Sequence, residues 1–224
     1  MNVAGIIAEY NPLHGGHAHH IAQTVRLLGP DTHVVSVMSG HAVQRGDVSV
    51  LTKFARAEMA ARAGADLVFE LPAASALAGA ERFARAGVSI LRRLGIITHL
   101  SFGAECADVE LLRKAAARVP ETFPKDISLA RAYPAFAPEY AALFTPNNIL
   151  AMEYLRAMRA QDCRWEPVAM PRIGGGHDGG GVYSASAVRR RLFQGGTADD
   201  SMPGYALSLY QREAALGGAP VRAS

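Results

Sequence analysis

Apolar residues in this chain gather in short runs instead of alternating with polar ones. Val3 to Ala8, His33 to Met38, Asp66 to Leu71, His99 to Gly103 and Pro167 to Pro171 read as strands, and their near-continuous apolar character is that of strands covered on both faces. Between them, Ala18 to Leu28, Thr52 to Ala63 and Ala80 to Leu94 carry the spacing of helices. This alternation predicts an α/β fold: a parallel sheet of about five strands, helices on both faces and right-handed crossovers. In such a sheet ligands sit beyond the carboxyl ends of the strands, so the loops that follow each strand become the candidates for chemistry.

Later parts of the chain are less regular. Residues 120 to 147 are rich in proline and aromatic residues and predict an irregular excursion with short helices, after which Pro146 and Asn147 open a helix to about Ala160. Gly174 to Gly181 is nearly all glycine, and a helix is predicted from Ser186. Beyond Gly195 the residues turn small and polar. The expected organisation is a main domain over 1–195 and a short, partly helical C-terminal tail over 196–224 with frayed last residues.

The chain's 224 residues suffice for one full core. No apolar run reaches the roughly 18 residues that span a membrane, and the opening lacks a signal-peptide pattern, so a cytoplasmic protein without membrane contact is expected. Its two cysteines, Cys106 and Cys163, are far apart and form no CxxC pair, which leaves neither a disulfide framework nor a thiolate zinc site to predict. A formal net charge of +3 permits contact with a polyanion such as RNA without demanding it.

The densest chemistry follows the first strand, in Glu9-Tyr10-Asn11-Pro12-Leu13-His14-Gly15-Gly16-His17-Ala18-His19-His20. Pro12 stiffens a bend, Gly15 and Gly16 allow close backbone approach, and His14 and His17 bring imidazoles to the free N–H groups at the start of a helix. An anion there would meet a positive dipole end and ring N–H donors, which suits phosphate. A metal site built from His14, His17, His19 and His20 lacks a carboxylate or thiolate nearby beyond Glu9, and none is expected.

The loops after the other strands add to this. Ser39 to Asp47 joins polar donors to Gly40 and Gly46, and Lys53 and Arg56 lie three apart on one face of the next helix, either as a solvated basic edge or in catalysis. Glu70 ends the third strand as a candidate acceptor for neighbouring N–H groups. Gly103, near the end of the fourth, gives a base or ribose bare backbone to pack on, or serves only a turn. Arg172 precedes the glycine-rich stretch, which with arginine before it and serines after it predicts a loop that covers phosphate. Ser184 or Ser186 can cap the following helix while Arg189 neutralises phosphate oxygens.

His-x-Gly-His after a first buried strand resembles the signature of the nucleotidyltransferase superfamily. Residues 9–17, Met38 to His41, Gln44 to Gly46, Lys53, Arg56, Ala65 to Pro72, Phe102 to Glu105, Asn147 to Leu150, Arg172-Ile173 and Ser184 to Arg189 together are similar to one of its families, the bacterial tRNA(Met) cytidine acetate ligases. The resemblance implies the Rossmann-like fold of the HIGH-type nucleotidyltransferases and makes 1–195 an ATP-binding domain. It implies that ATP and acetate give acetyl-adenylate and pyrophosphate, and that the acetyl group passes to N4 of the wobble cytidine of elongator tRNA(Met). By likeness ATP is held by residues 7 to 20, among them Ile7, Glu9, Asn11, Pro12, Gly15, Gly16 and His20, with Gly103, Asn147 or Asn148, Arg172, Ser184 and Ser186. His14 and His17 are assigned to the phosphates, Arg172 and Arg189 to the leaving pyrophosphate, Lys53 is grouped with the catalytic residues, and Mg²⁺ is expected between phosphate oxygens. Val48 and Phe69 stand where the family pattern has a proline and a smaller aliphatic residue. The family's chains continue into a largely helical region that helps hold tRNA, where this sequence runs on for about 30 residues. An adenylyltransferase acting on a phosphorylated cofactor precursor, and a non-catalytic nucleotide-binding module, are the competing expectations.

Overall fold

The computed structural model describes residues 1–120, 129–172, 184–196 and 200–221, apart from the side chains of Arg45 and Ala130. The order of elements is β1 (Asn2–Ala8), α1 (Gly15–Leu28), β2 (Thr32–Ser39), the short hairpin β3 (Ala42–Val43) and β4 (Asp47–Val48), α2 (Lys53–Arg62), β5 (Leu67–Leu71), α3 (Ala73–Ala76), α4 (Ala80–Leu94) and β6 (His99–Ala104). Then come α5 (Val109–Ala117), α6 (Leu129–Phe136), a 3₁₀ stretch over Pro138–Leu143, α7 (Pro146–Ala160), β7 (Glu166–Pro171), α8 (Ala185–Phe193) and α9 (Gly204–Ala215).

The five predicted strands form one parallel sheet in the order β5-β2-β1-β6-β7. The chain winds outward from β1 through β2 to β5, then returns to the other side of β1 for β6 and β7. The strand order therefore reverses between β1 and β6, where an open α/β sheet has its ligand crevice.

Side chains on the two faces of the sheet enter two cores. Val3 and Ile7 of β1 with Val35 and Val37 of β2 pack under α4, α5 and α7. Ile6, Val34 and Met38 pack against Ile21 of α1, Met59 of α2, Val188 of α8 and Leu209 of α9. Five consecutive buried positions, Val3 to Ile7, follow from this double cover. On the α4 side a Cβ at Gly87 would come within 2.7 Å of Ile7 Cδ1, so only glycine lets that helix lie so close to β1.

Several boundaries differ from expectation for local reasons. Helix α1 begins at Gly15 and not Ala18, because His14 caps it and draws both glycines into the first turn. Thr52 sits outside α2 as its N-cap, and α8 begins at Ala185, one residue before the expected Ser186, because Ser184, one of the two expected caps, holds its start; each hydroxyl accepts from the N–H three residues on. Helix α5, capped by Asp108, was not predicted. Residues 200–221, expected as a tail, pack onto the body: Met202, Ala206 and Leu209 are buried, Arg212 reaches Glu58 of α2, and the Val221 N–H donates to the Val50 carbonyl. Among the described residues no helix is long and apolar enough to cross a membrane.

Candidate nucleotide site

Beyond the carboxyl ends of β1 and β6 lies a cavity of about 640 Å³, a size typical for small-molecule sites. Its lining brings together Ile7, Glu9, Asn11, His14, Gly16, His17, His20, Gly103, Asn147, Arg172, Ser184, Ser186 and Arg189, residues drawn from five separate stretches of sequence. The glycine-rich stretch 174–181, expected to cover phosphate, lies outside the described residues, as does Ile173.

The turn after β1 is held by its own side chains. His14 Nδ1 accepts the Gly16 N–H at 3.0 Å, and His17 Nδ1 accepts the His14 N–H at 3.3 Å, a reciprocal cap. The Gly15 N–H donates to the Ser201 carbonyl at 2.8 Å, and the His17 N–H to the His14 carbonyl at 2.9 Å. The expectation of free backbone N–H groups at the helix start is thus corrected: protein acceptors occupy them. With both Nδ1 atoms accepting, the ring protons of His14 and His17 reside on Nε2, and these N–H groups remain for a ligand.

The two imidazoles stack with centroids 3.8 Å apart, and Tyr10 meets His17 edge-on at 5.1 Å. Tyr10 is buried at φ +47°, a left-handed conformation that costs a non-glycine residue energy and clusters at functional turns. Its hydroxyl lies 3.0 Å from Ser36 Oγ, and burial pushes its pKa up to about 12 despite that bond.

Three of the histidines that line the cavity, His14, His17 and His20, are held neutral. Burial, then the charges of Arg172 and Arg189, lowers His14 to about 3. Burial lowers His17 well below its usual value, with His14, His20 and Arg172 adding to the effect. Burial and then His19 lower His20 to about 4. Among the described residues that line the cavity the guanidinium charges are those of Arg172 and Arg189, while His14 and His17 act as directed, uncharged donors.

His20 belongs to a closed relay. Thr24 Oγ1 donates to the His20 carbonyl at 2.9 Å, so Ser101 must donate to Thr24 Oγ1 (2.8 Å) and His20 Nε2 to Ser101 Oγ (2.8 Å). That fixes the His20 proton on Nε2 and leaves Nδ1 as a lone-pair acceptor.

On the opposite wall Ser184 caps α8, and Arg189 donates from Nη1 to the Asn11 carbonyl (2.8 Å) and from Nη2 to Ser186 Oγ (3.3 Å). Asn11 Oδ1 accepts from the Val50 N–H at 2.8 Å, and Glu9 Oε1 from the Gln44 N–H at 2.7 Å, which ties the β3–β4 hairpin to the turn. Arg172 Nη1 donates to Asn147 Oδ1 at 2.8 Å.

Five residues singled out from the sequence do not line the cavity. Lys53, grouped with the catalytic residues, bonds Glu70 at 2.6 Å and does not line the cavity. Asn148 is buried and accepts from the Cys106 N–H through Oδ1, leaving Asn147 as the asparagine on the cavity. Pro12 and Gly15 shape the turn without lining the cavity. Arg56, instead of sharing a solvated face with Lys53, is fully buried and binds the carbonyls of Glu9, Gly40 and Leu51. Burial pushes its pKa down to about 10 against the raising influence of Glu9 and Glu70.

The apolar wall was largely missed. Phe83, Phe102, Leu150 and Tyr154 line the cavity. Asn147, Leu150 and Tyr154 are spaced i, i+3, i+7 on α7, a one-face signal that could have found the last two. Phe83 reaches the cavity only through the packing of α4. Gly103 lies within β6, so it serves no turn, and among the described residues a Cβ there would meet only Arg172 Cγ at 3.7 Å, an ordinary contact.

Residues 1–222 match the family described as HIGH Nucleotidyl Transferase. A tRNA(Met) cytidine acetate ligase of Fervidobacterium nodosum is 36% identical over 99% of this chain and 57% of its own length. That of Syntrophotalea carbinolica is 38% identical over 93% of this chain and 55% of its own. The crystal structure of Thermotoga maritima TmcAL bound with alpha-thio ATP superposes with a TM-score of 0.86 at 31% identity, covering 99% of this chain and 58% of that one. The chain thus spans little more than half the length of the relatives it matches. With a reversal-point cavity framed by His14, His17, Arg172 and Arg189 and a match over nearly its whole length, the chain belongs to the HIGH nucleotidyl transferase family.

Proposed function

We propose that this chain binds ATP and condenses it with acetate, giving acetyl-adenylate and pyrophosphate, and that the acetyl group then passes to N4 of the wobble cytidine of elongator tRNA(Met). One observation carries the reading: the turn after β1 and the serine–arginine start of α8 face the same cavity and are bonded through Arg189 and Asn11. The names of the similar ligases supply acetate and tRNA. A cytoplasmic setting accords with a tRNA acceptor.

Acetate is a weak nucleophile, and the triphosphate it must approach is anionic. Catalysis then rests on holding the carboxylate oxygen in line with the α-phosphorus while donors meet the charge growing on pyrophosphate. His14 and His17 offer Nε2–H groups to phosphate oxygens without adding charge, and Arg172 and Arg189 balance the leaving group. In the second step N4 of cytidine attacks the acyl carbon, the bond to the adenylate oxygen breaks, and AMP leaves with its electron pair as the amine gives up a proton. Among the described residues Glu9 and Asp47 are the carboxylates that line the cavity, which fits Mg²⁺ held by one or two carboxylates and the substrate's phosphates. When bound, it would neutralise phosphate charge.

The test is exchange of labelled pyrophosphate into ATP by the purified chain. Exchange that depends on acetate is expected. Exchange indifferent to acetate, with adenylylation of a phosphorylated acceptor such as pantetheine phosphate, would overturn it. Nucleoside analysis of elongator tRNA(Met) after reaction with ATP and acetate checks the acceptor.

A further inference from the structure

Glu105 follows β6 and does not line the cavity, yet three groups from the start of α7 converge on its carboxylate. Thr145 Oγ1 donates at 2.7 Å, the Asn148 N–H at 3.0 Å and Asn147 Nδ2 at 2.5 Å. An ionised carboxylate only accepts, so the Asn147 amide can meet it only with its NH₂ end. The amide oxygen is thereby turned the other way, where it accepts from Arg172 Nη1 at 2.8 Å. Reversing the amide would set one acceptor against another at Glu105 and one donor against another at Arg172.

We infer that Glu105 is a positioning residue: by fixing the polarity of Asn147 it sets the direction from which Arg172 meets the nucleotide. The inference rests on reading the cavity as a triphosphate site. Burial opposes ionisation of Glu105, but the bonds from Asn147, Thr145, its own N–H and Asn148 hold its carboxyl below the ordinary range. It is therefore ionised at neutral pH, as the relay requires. A carboxylate at a helix start also caps, so a purely structural role is the alternative to exclude.

A polarity swap separates the two. Glu105→Gln keeps shape, and its oxygen can still serve Thr145 and Asn148, but its NH₂ then faces Asn147 and forces the amide to turn. ATP affinity measured by calorimetry should fall about tenfold, as for loss of one charge-assisted hydrogen bond. Asn147→Asp alone opposes two carboxylates and should weaken binding similarly. The double variant Glu105→Gln, Asn147→Asp restores a donor–acceptor pair and an acceptor for Arg172, and should return to within about threefold of the parent. Undiminished affinity in Glu105→Gln, or a double variant no tighter than the weaker single one, overturns the relay. If the parent protein itself fails to bind ATP, the nucleotide reading falls. The relay is then judged on the Arg172 guanidinium NMR resonance, identified by its loss in Arg172→Lys. A slowly exchanging signal in the parent and the double variant that disappears in Glu105→Gln supports it, and one unchanged in Glu105→Gln refutes it.

Discussion

Arg189 and Asn11, 178 positions apart, are joined by a 2.8 Å hydrogen bond from guanidinium Nη1 to carbonyl oxygen. Nη2 of the same group turns to Ser186 Oγ. A lysine keeps the charge but cannot donate along both directions from a planar fork. Arg189→Lys should slow acetate-dependent pyrophosphate exchange about tenfold and Arg189→Ala about a hundredfold, the scale of losing one donor to developing charge. Parent-like rates in both variants would detach α8 from the chemistry.

The two jobs of His14 can be separated. Its Nδ1 caps α1, and asparagine is among the best residues for that task, but asparagine has no Nε2–H to aim at a ligand. His14→Asn should keep unfolding stability within about 1 kcal/mol of the parent while slowing exchange by about a hundredfold. A large stability loss, or unimpaired exchange, would show that the ring serves packing alone. His17→Ala is a poorer probe, because it also removes the cap on the His14 N–H.

The neutral histidines make stability depend on acidity. Each binds a proton in the unfolded chain below its usual 6.5 but resists doing so when folded, until about 4 for His20 and about 3 for His14. Over that window the unfolded state carries more protons, so stability is intact above 6.5 and falls as pH drops, by roughly 1.4 kcal/mol per pH unit per histidine. Urea unfolding at about pH 7 and about pH 5 should reveal the loss, and His20→Gln should flatten the slope by one histidine's share. A pH-independent midpoint would mean the rings are not held neutral.

Gly103 offers a test of the cavity that leaves the fold aside. Since a Cβ there meets no atom of the described residues closer than 3.7 Å, Gly103→Ala should melt within a few degrees of the parent. The added methyl intrudes on the cavity, and ATP affinity should fall by about tenfold. Unaltered affinity would place the nucleotide away from β6.

The sheet was legible because burial on both faces writes itself into continuous apolar runs such as Val3 to Ala8. The site was legible where the chemistry is local: His14, His17, Ser186 and Arg189 could be read from short patterns, and all line the cavity. Lys53 and Arg56 show where local reading ends. Both have the same spacing relation to their helix, yet one finds Glu70 at the surface and the other is buried among carbonyls. That choice depends on where the ends of β1 and β2 meet α2, which no window of sequence contains. Phe83 was invisible for the same reason.

The carbonyl of Ser201 receives the first N–H of α1. Cutting the chain shortly before that serine would leave an unmet donor at the turn after β1 and bare the apolar bed that Met202 and Leu209 fill. A minimal fragment designed by stopping after α8 would therefore forfeit a properly set nucleotide pocket, and any fusion or truncation meant to keep the pocket should place its junction beyond α9.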